Sequence, residues 1–217
     1  MIFVYYTSYW IYLAILLLNV LLYSVRVKKD SDKALKILLV YLWTMFIVQV
    51  VSDVMTYIAS DNLYFTHIYL CTHFILLGSF YKTVFTNLQQ RNFVILSLSV
   101  IFLFLILQYS MYPELFSHYN LSEIFAVNYL VTVYSLIYNY NSLSVKIQFP
   151  YINWGVMTYS ILSTALFLYG NIATKLDLKI SIPVWIIHLL VIIFLQSMIF
   201  IQWLKCFYKN KSYAKFS

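Results

Sequence analysis

"FVILSLSVIFLFLILQYSMY", residues 93–112, decides what kind of protein this is. The stretch is nearly free of polar atoms until Gln108. As a helix rising about 1.5 Å per residue it reaches roughly 30 Å, the thickness of a bilayer hydrocarbon core. A helix with no polar face has no side to give to water, so the stretch predicts a lipid-facing membrane span.

The rest of the chain extends this pattern. Of its 217 residues 63% are hydrophobic and 10% charged, against about 45–50% and about 25% in soluble domains. The mean hydropathy is +0.83. An ordinary soluble domain is thereby excluded, and an integral membrane protein is expected. Windows of about 19 residues predict seven spans, over 3–25, 35–58, 63–84, 93–112, 122–142, 150–173 and 181–204. The expected fold is all-α: a single seven-helix transmembrane domain over 1–204, then a short basic tail over 205–217. The breaks, such as "RVKKDSDK" (26–33), "TNLQQRN" (86–92) and "KLDLK" (175–179), are too short for an extramembrane domain. The first span lacks a basic lead-in and a small-residue cleavage site, so it reads as retained and not as a signal peptide.

Charge gives an orientation. Arg26, Lys28, Lys29, Lys33, Lys36, Lys82, Arg91, Lys146, Lys205, Lys209, Lys211 and Lys215 fall on one side of the spans, and only Lys175 and Lys179 on the other. Short basic loops stay cytoplasmic, so the N-terminus is expected outside and the C-terminus inside. The net charge of +7 is therefore read as a topology signal, with no nucleic-acid partner. The tail "KCFYKNKSYAKFS" mixes Lys with aromatics and suits an anionic inner leaflet. The chain has 22 Tyr and 17 Phe but only 3 Gly, so packing through large side chains is expected in place of GxxxG seams. Cys71 and Cys206 lie in distant spans, and no disulfide is expected.

Ionisable groups inside lipid are costly, by roughly 2.5–3.5 kcal/mol, and face a bundle interior or a wet cavity. Counted from each span's outer end, His67 lies about 6 Å deep, Asp53 about 10 Å, His188 about 11 Å and His73 about 15 Å. All four sit in the outer half. Neutral polar residues recur at helical spacing in three spans, Gln49, Ser52, Thr56 and Ser60 in the second with Asp53 beside them, Asn128, Thr132, Ser135 and Asn139 in the fifth, and Asn153, Ser160, Thr164 and Asn171 in the sixth. Asp53, His67, His73, Asn128, Asn171 and His188 are accordingly the candidate ligand-binding residues of an outward-opening pocket. His67 points about 120° away from His73 around its helix, so one of the two is expected to face a neighbouring helix or the headgroups. Such residues also serve membrane proteins purely as interhelical hydrogen-bond partners. Glu123, after Ser122 at a helix start, reads as a solvated charge favoured by the helix dipole.

Specific chemistries are mostly excluded. No HxxxH or HExxH pair puts two metal ligands on one helix face, so no metal and no other cofactor is expected. "ISIPVWIIHLLVIIFLQSMIFIQWL" (180–204) has no lysine for a retinal Schiff base. GxSxG and Gly-rich phosphate loops are missing from the sequence. Paired prolines and an internal repeat, the marks of a two-repeat carrier, are not seen.

"NLYFTHIYLCTHFILLGSFYK" (62–82), "PYINWGVMTYSILSTALFLYGN" (150–171) and "VWIIHLLVIIFLQSMIFIQW" (184–203) together resemble a group of small uncharacterised bacterial seven-span inner-membrane proteins. The resemblance covers most of the chain in span order. It implies a multi-pass location in the bacterial inner (plasma) membrane and a compact seven-helix bundle, and it supplies no activity. An acidic residue often holds the place of His73 in that group, which gives this pocket a different charge. The expected function is a small-ligand sensor or receptor-like module, or the membrane subunit of a complex whose partner protein docks on the basic face. The alternatives are a lipid-modifying enzyme, with His73 or His188 as base and Asp53 orienting it, and a small-solute transporter.

Overall fold

The computed structural model describes residues 1–28, 32–58, 63–144, 147–173 and 178–205, without the side chains at 57, 170–173 and 178–180. Seven α-helices follow one another: α1 (Ile2–Val27), α2 (Lys33–Ile58), α3 (Tyr64–Val84), α4 (Leu88–Met111), α5 (Leu121–Asn141), α6 (Pro150–Ala173) and α7 (Leu178–Trp203). A short 3-10 helix, Pro113–Ser117, links α4 to α5. No strand occurs among the described residues. Five of the helices, all but α3 and α6, are long and apolar enough to cross a hydrocarbon core, the mark of a multi-pass membrane protein.

The ends follow local rules. Asn87 accepts the backbone N–H of Gln89 and caps α4, so that helix begins five residues before the apolar run the sequence reading picked out. Hydropathy sees the apolar length, whereas the cap adds a polar turn, Leu88 to Arg91, ahead of it. Asn120 caps α5 in the same way through Glu123 N–H.

Six helices close a ring. Each of α1, α2, α3, α5, α6 and α7 packs on the next, α7 returns to α1, and α4 lies outside against α3 and α5. Membership of the ring shows in the burial pattern. In α1, Ser8, Tyr12, Leu16, Asn19 and Tyr23 are buried at steps of three and four, which marks one helix face. In α4 only Val94 and Leu105 are buried, and its remaining apolar surface is turned outward.

Opposed helices of the ring do not approach closely, and large rings fill the space between them. Tyr12, Tyr41, Tyr81, Tyr134 and Tyr159, with Phe74, Phe80, Phe85 and Phe149, are all buried. Tyr69 of α3 reaches Tyr159 of α6 across the interior, hydroxyl to hydroxyl at 2.6 Å. This is packing by bulk, as the composition implies, with one local exception. At Gly155 an added Cβ would stand 2.9 Å from Met198 Cβ, so α6 and α7 meet through a glycine.

Polar residues rivet the ring's seams. Asn19 of α1 donates to the backbone oxygen of Gln196 at 2.8 Å and to its Oε1 at 2.9 Å in α7. Asn153 of α6 is the central hub. Its Oδ1 accepts from Tyr81 of α3 at 2.7 Å and from Ser135 of α5 at 2.9 Å, while its Nδ2 donates to Asn139 Oδ1 at 2.8 Å. Two members of the sequence stripes turn back on their own helices instead, Thr132 to Asn128 O and Thr164 to Ser160 O.

Removing the hub strands two buried partners, Tyr81 and Ser135, and the part-buried Asn139. Asn153→Ala is expected to cost about 1–3 kcal/mol, read as a lower unfolding midpoint in detergent. Thr132→Ala, which removes only a bond within one helix, should cost clearly less.

Candidate functional site

The ring interior is not filled along its whole length. Toward the end where α2 finishes and α3 begins, a cavity of about 170 Å³ opens between α2, α3, α6 and α7. Its polar lining is Gln49, Ser52, Thr66, Tyr69 and His188, and its aromatic walls are Phe65 and Phe167. Helix geometry explains the grouping: Gln49 and Ser52 are one turn apart on α2, and Thr66 and Tyr69 one turn apart on α3.

Two of the histidines read from the sequence meet around one tyrosine. The His73 ring, fully buried, stacks on Tyr69 at 5.6 Å and lies 5.4 Å from Tyr159. His188 lies 6.3 Å from the same Tyr159 and packs edge-on to Phe167 at 4.9 Å. The Nδ1 of His73 is bonded to Tyr41 Oη at 3.2 Å. The Nε2 atoms of both histidines are buried without a hydrogen-bond partner in the chain. A buried polar atom normally has a partner, so the cavity-lining His188 is a group on which a ligand can act.

Asp53 is not itself part of the lining; it lies one turn beyond Gln49 on α2, half-buried and turned toward α1. Its carboxylate accepts from the Tyr9 hydroxyl and from Gln49 Nε2 at 3.2 Å. Asp53 therefore orients neither His73 nor His188, contrary to the arrangement the enzymatic alternative needs. Gln49, which does line the cavity, connects the carboxylate to it.

The remaining candidates separate. Asn128 is buried on α5 with both amide atoms unpartnered, and it does not line this cavity. The side chain of Asn171 lies outside the described residues. His67 turns away, as its position around the helix implies. Its Nδ1 stands 2.6 Å from Glu123 Oε2, and Tyr109 Oη lies 2.6 Å from the same oxygen and 2.8 Å from His67 Nδ1. The Cys71 thiol points at the other oxygen, Oε1, at 3.5 Å. Phe116, from the 3-10 helix, stacks on Tyr109 at 4.1 Å and roofs the group.

This cluster is what the sequence reading missed. Glu123, read as a solvated charge, is fully buried, and His67 meets it in place of headgroups. The available signal was the pairing of one acid at the start of a span with one histidine at the same depth in another. Which spans adjoin is not written in either of them. Asn120 beside Glu123 is buried too: it donates to Gln108 Oε1 at 2.9 Å and caps Glu123 N–H.

A larger cleft of about 460 Å³ lies at the opposite end, bordered by Asp32, Asn87, Gln90, Asn141 and Gln148. Four of its polar residues are engaged with one another. Gln90 and Asn141 exchange amide bonds at 2.8 and 3.1 Å, and Gln148 donates to Asp32 at 2.7 Å. Among the described residues no group of three or more His, Cys, Asp or Glu is placed to hold a metal ion. Compared with known proteins, the chain matches no family model, no curated protein and no solved structure.

The two acids should behave differently when removed. Glu123→Ala leaves His67, Tyr109 and Cys71 without their shared acceptor, a loss of about 1–3 kcal/mol for a stranded buried group. Asp53→Ala, at a half-buried position, should lower the thermal midpoint in detergent by clearly less.

Proposed function

We propose that this protein is a seven-span membrane receptor-like module that binds a small ligand in the cavity between α2, α3, α6 and α7. The observation that carries the reading is His188 Nε2, buried and unpartnered, in the wall of a cavity otherwise lined by hydroxyl, amide and aromatic groups. Small-molecule sites combine just such apolar walls with a few convergent polar groups.

In this reading α3 and α6 also cross the membrane. Their lower hydropathy is tolerated because their polar residues, His67, His73, Asn153 and Ser160 among them, are buried against other helices and not against lipid. Every Lys and Arg whose side chain is described belongs to the end formed by the α1–α2, α3–α4, α5–α6 and C-terminal junctions. That end is assigned to the cytoplasm by the positive-inside rule, which puts the cavity near the outer face of the inner membrane. A signalling or assembly partner would then dock on the basic inner end. The basic tail, residues 206–217, and the outer lysines Lys175 and Lys179 lie outside the described side chains.

A second reading has one observation in its favour. Glu123 and His67 form a carboxylate-oriented imidazole whose Nε2 is unpartnered, the arrangement of a general base. A lipid-modifying enzyme would use this pair, and not Asp53 with His73 or His188.

Two measurements test the leading reading. Reporter fusions should place the C-terminus in the cytoplasm and the N-terminus outside, and the reverse result overturns the orientation. Native mass spectrometry of gently extracted protein should show a small-molecule adduct that disappears in Thr66→Trp, whose indole would occupy the cavity. An unchanged adduct pattern with the fold intact rejects the cavity as the binding site.

A further inference from the structure

We infer that the cavity takes a small organic ammonium ion, with Asp53 as its counter-charge. This rests on the cavity being the binding site and names the chemistry of what enters it.

Among the described residues Asp53 has only neutral partners. Tyr9 and Gln49 donate to it, and no cationic side chain among the described residues pairs with it. The nearest basic residue along its own helix is Lys36, about 25 Å away at 1.5 Å per residue. Acids placed within membrane helices normally pair with a cation or serve a substrate, and the Lys and Arg side chains described in this protein lie at the other end. A cation from outside is the missing complement.

The rest of the cavity fits such a guest. Gln49 points one N–H at Asp53, and its amide oxygen is an acceptor that a donor ligand in the cavity would meet. His188, in the cavity wall, carries an Nε2 with no partner in the chain. Phe65, Tyr69 and Phe167 supply ring faces, whose negative quadrupole attracts an ammonium group. The volume of about 170 Å³ limits the guest to a small amine, and the aromatic walls favour one carrying an apolar or aromatic body.

The test uses the full chain in detergent, with thermal midpoints followed against concentration for butylammonium and benzylammonium and for the alcohols of matching shape, butanol and benzyl alcohol. A ligand that binds only the folded state raises the midpoint with concentration. The expected result is a rise with the ammonium ions, a much smaller one with the alcohols, and at least about a tenfold loss of ammonium affinity in Asp53→Asn. Amine–alcohol discrimination in the unaltered protein needs no variant to fold. Equal responses to amine and alcohol, abolished by Thr66→Trp, overturn the ammonium inference but keep the cavity as a binding site. An ammonium response that Asp53→Asn leaves intact overturns the assignment of Asp53 as the counter-charge. Absence of any response rejects the ammonium class, and the adduct measurement on Thr66→Trp then decides the cavity separately.

Discussion

Most polar side chains inside this bundle find their partner on another helix or on their own backbone, because neither lipid nor aromatic packing offers one. That constraint organises the structure. Asn19 with Gln196 fastens α1 to α7, Tyr41 with His73 fastens α2 to α3, and His67 with Glu123 fastens α3 to α5. Asn153 ties α6 to both α5 and α3, and Gln202 of α7 accepts from Tyr151 N–H of α6. Such bonds average only about 0.6 kcal/mol each in membrane proteins, so their larger effect is on register. A helix that slides or rotates breaks its rivet and leaves buried groups unpaired.

Aromatic bulk sets the other half of the design. With three glycines in the chain, most helices cannot approach closely, and a six-membered ring of helices encloses more width than aliphatic side chains fill. Tyrosine is suited to this interior because its ring fills space and its hydroxyl still needs a partner. The Tyr69–Tyr159 bond spans the ring, and both histidines of the interior pack on Tyr159. The cavity lies where this aromatic filling stops. Its existence therefore follows from the same choice of large residues over small ones.

The site and the scaffold use the same residue types differently. His67 is locked by an acid and a tyrosine, while His188 has apolar and aromatic neighbours and a free Nε2. Asn153 is fully engaged, while Asn128 on the neighbouring helix is not. Identical chemistry becomes structural or available according to which helix face it occupies and what stands opposite.

The sequence by itself determined the helical class, the seven helices to within a few residues at most ends, and the outward position of α4. Each of these follows from apolar length and periodicity, properties held within a single segment. It also located His73 and His188 at similar depth, because depth is a count along one helix. Only the tertiary structure decided that α3 packs on α5 as well as on α4, which buries Glu123 against His67, and that Asp53 bonds Tyr9 and Gln49 instead of a histidine. Those outcomes depend on which helices adjoin and how each is rotated. That is settled by the joint fit of rings and hydrogen bonds between segments far apart in the chain, and no single span carries that information.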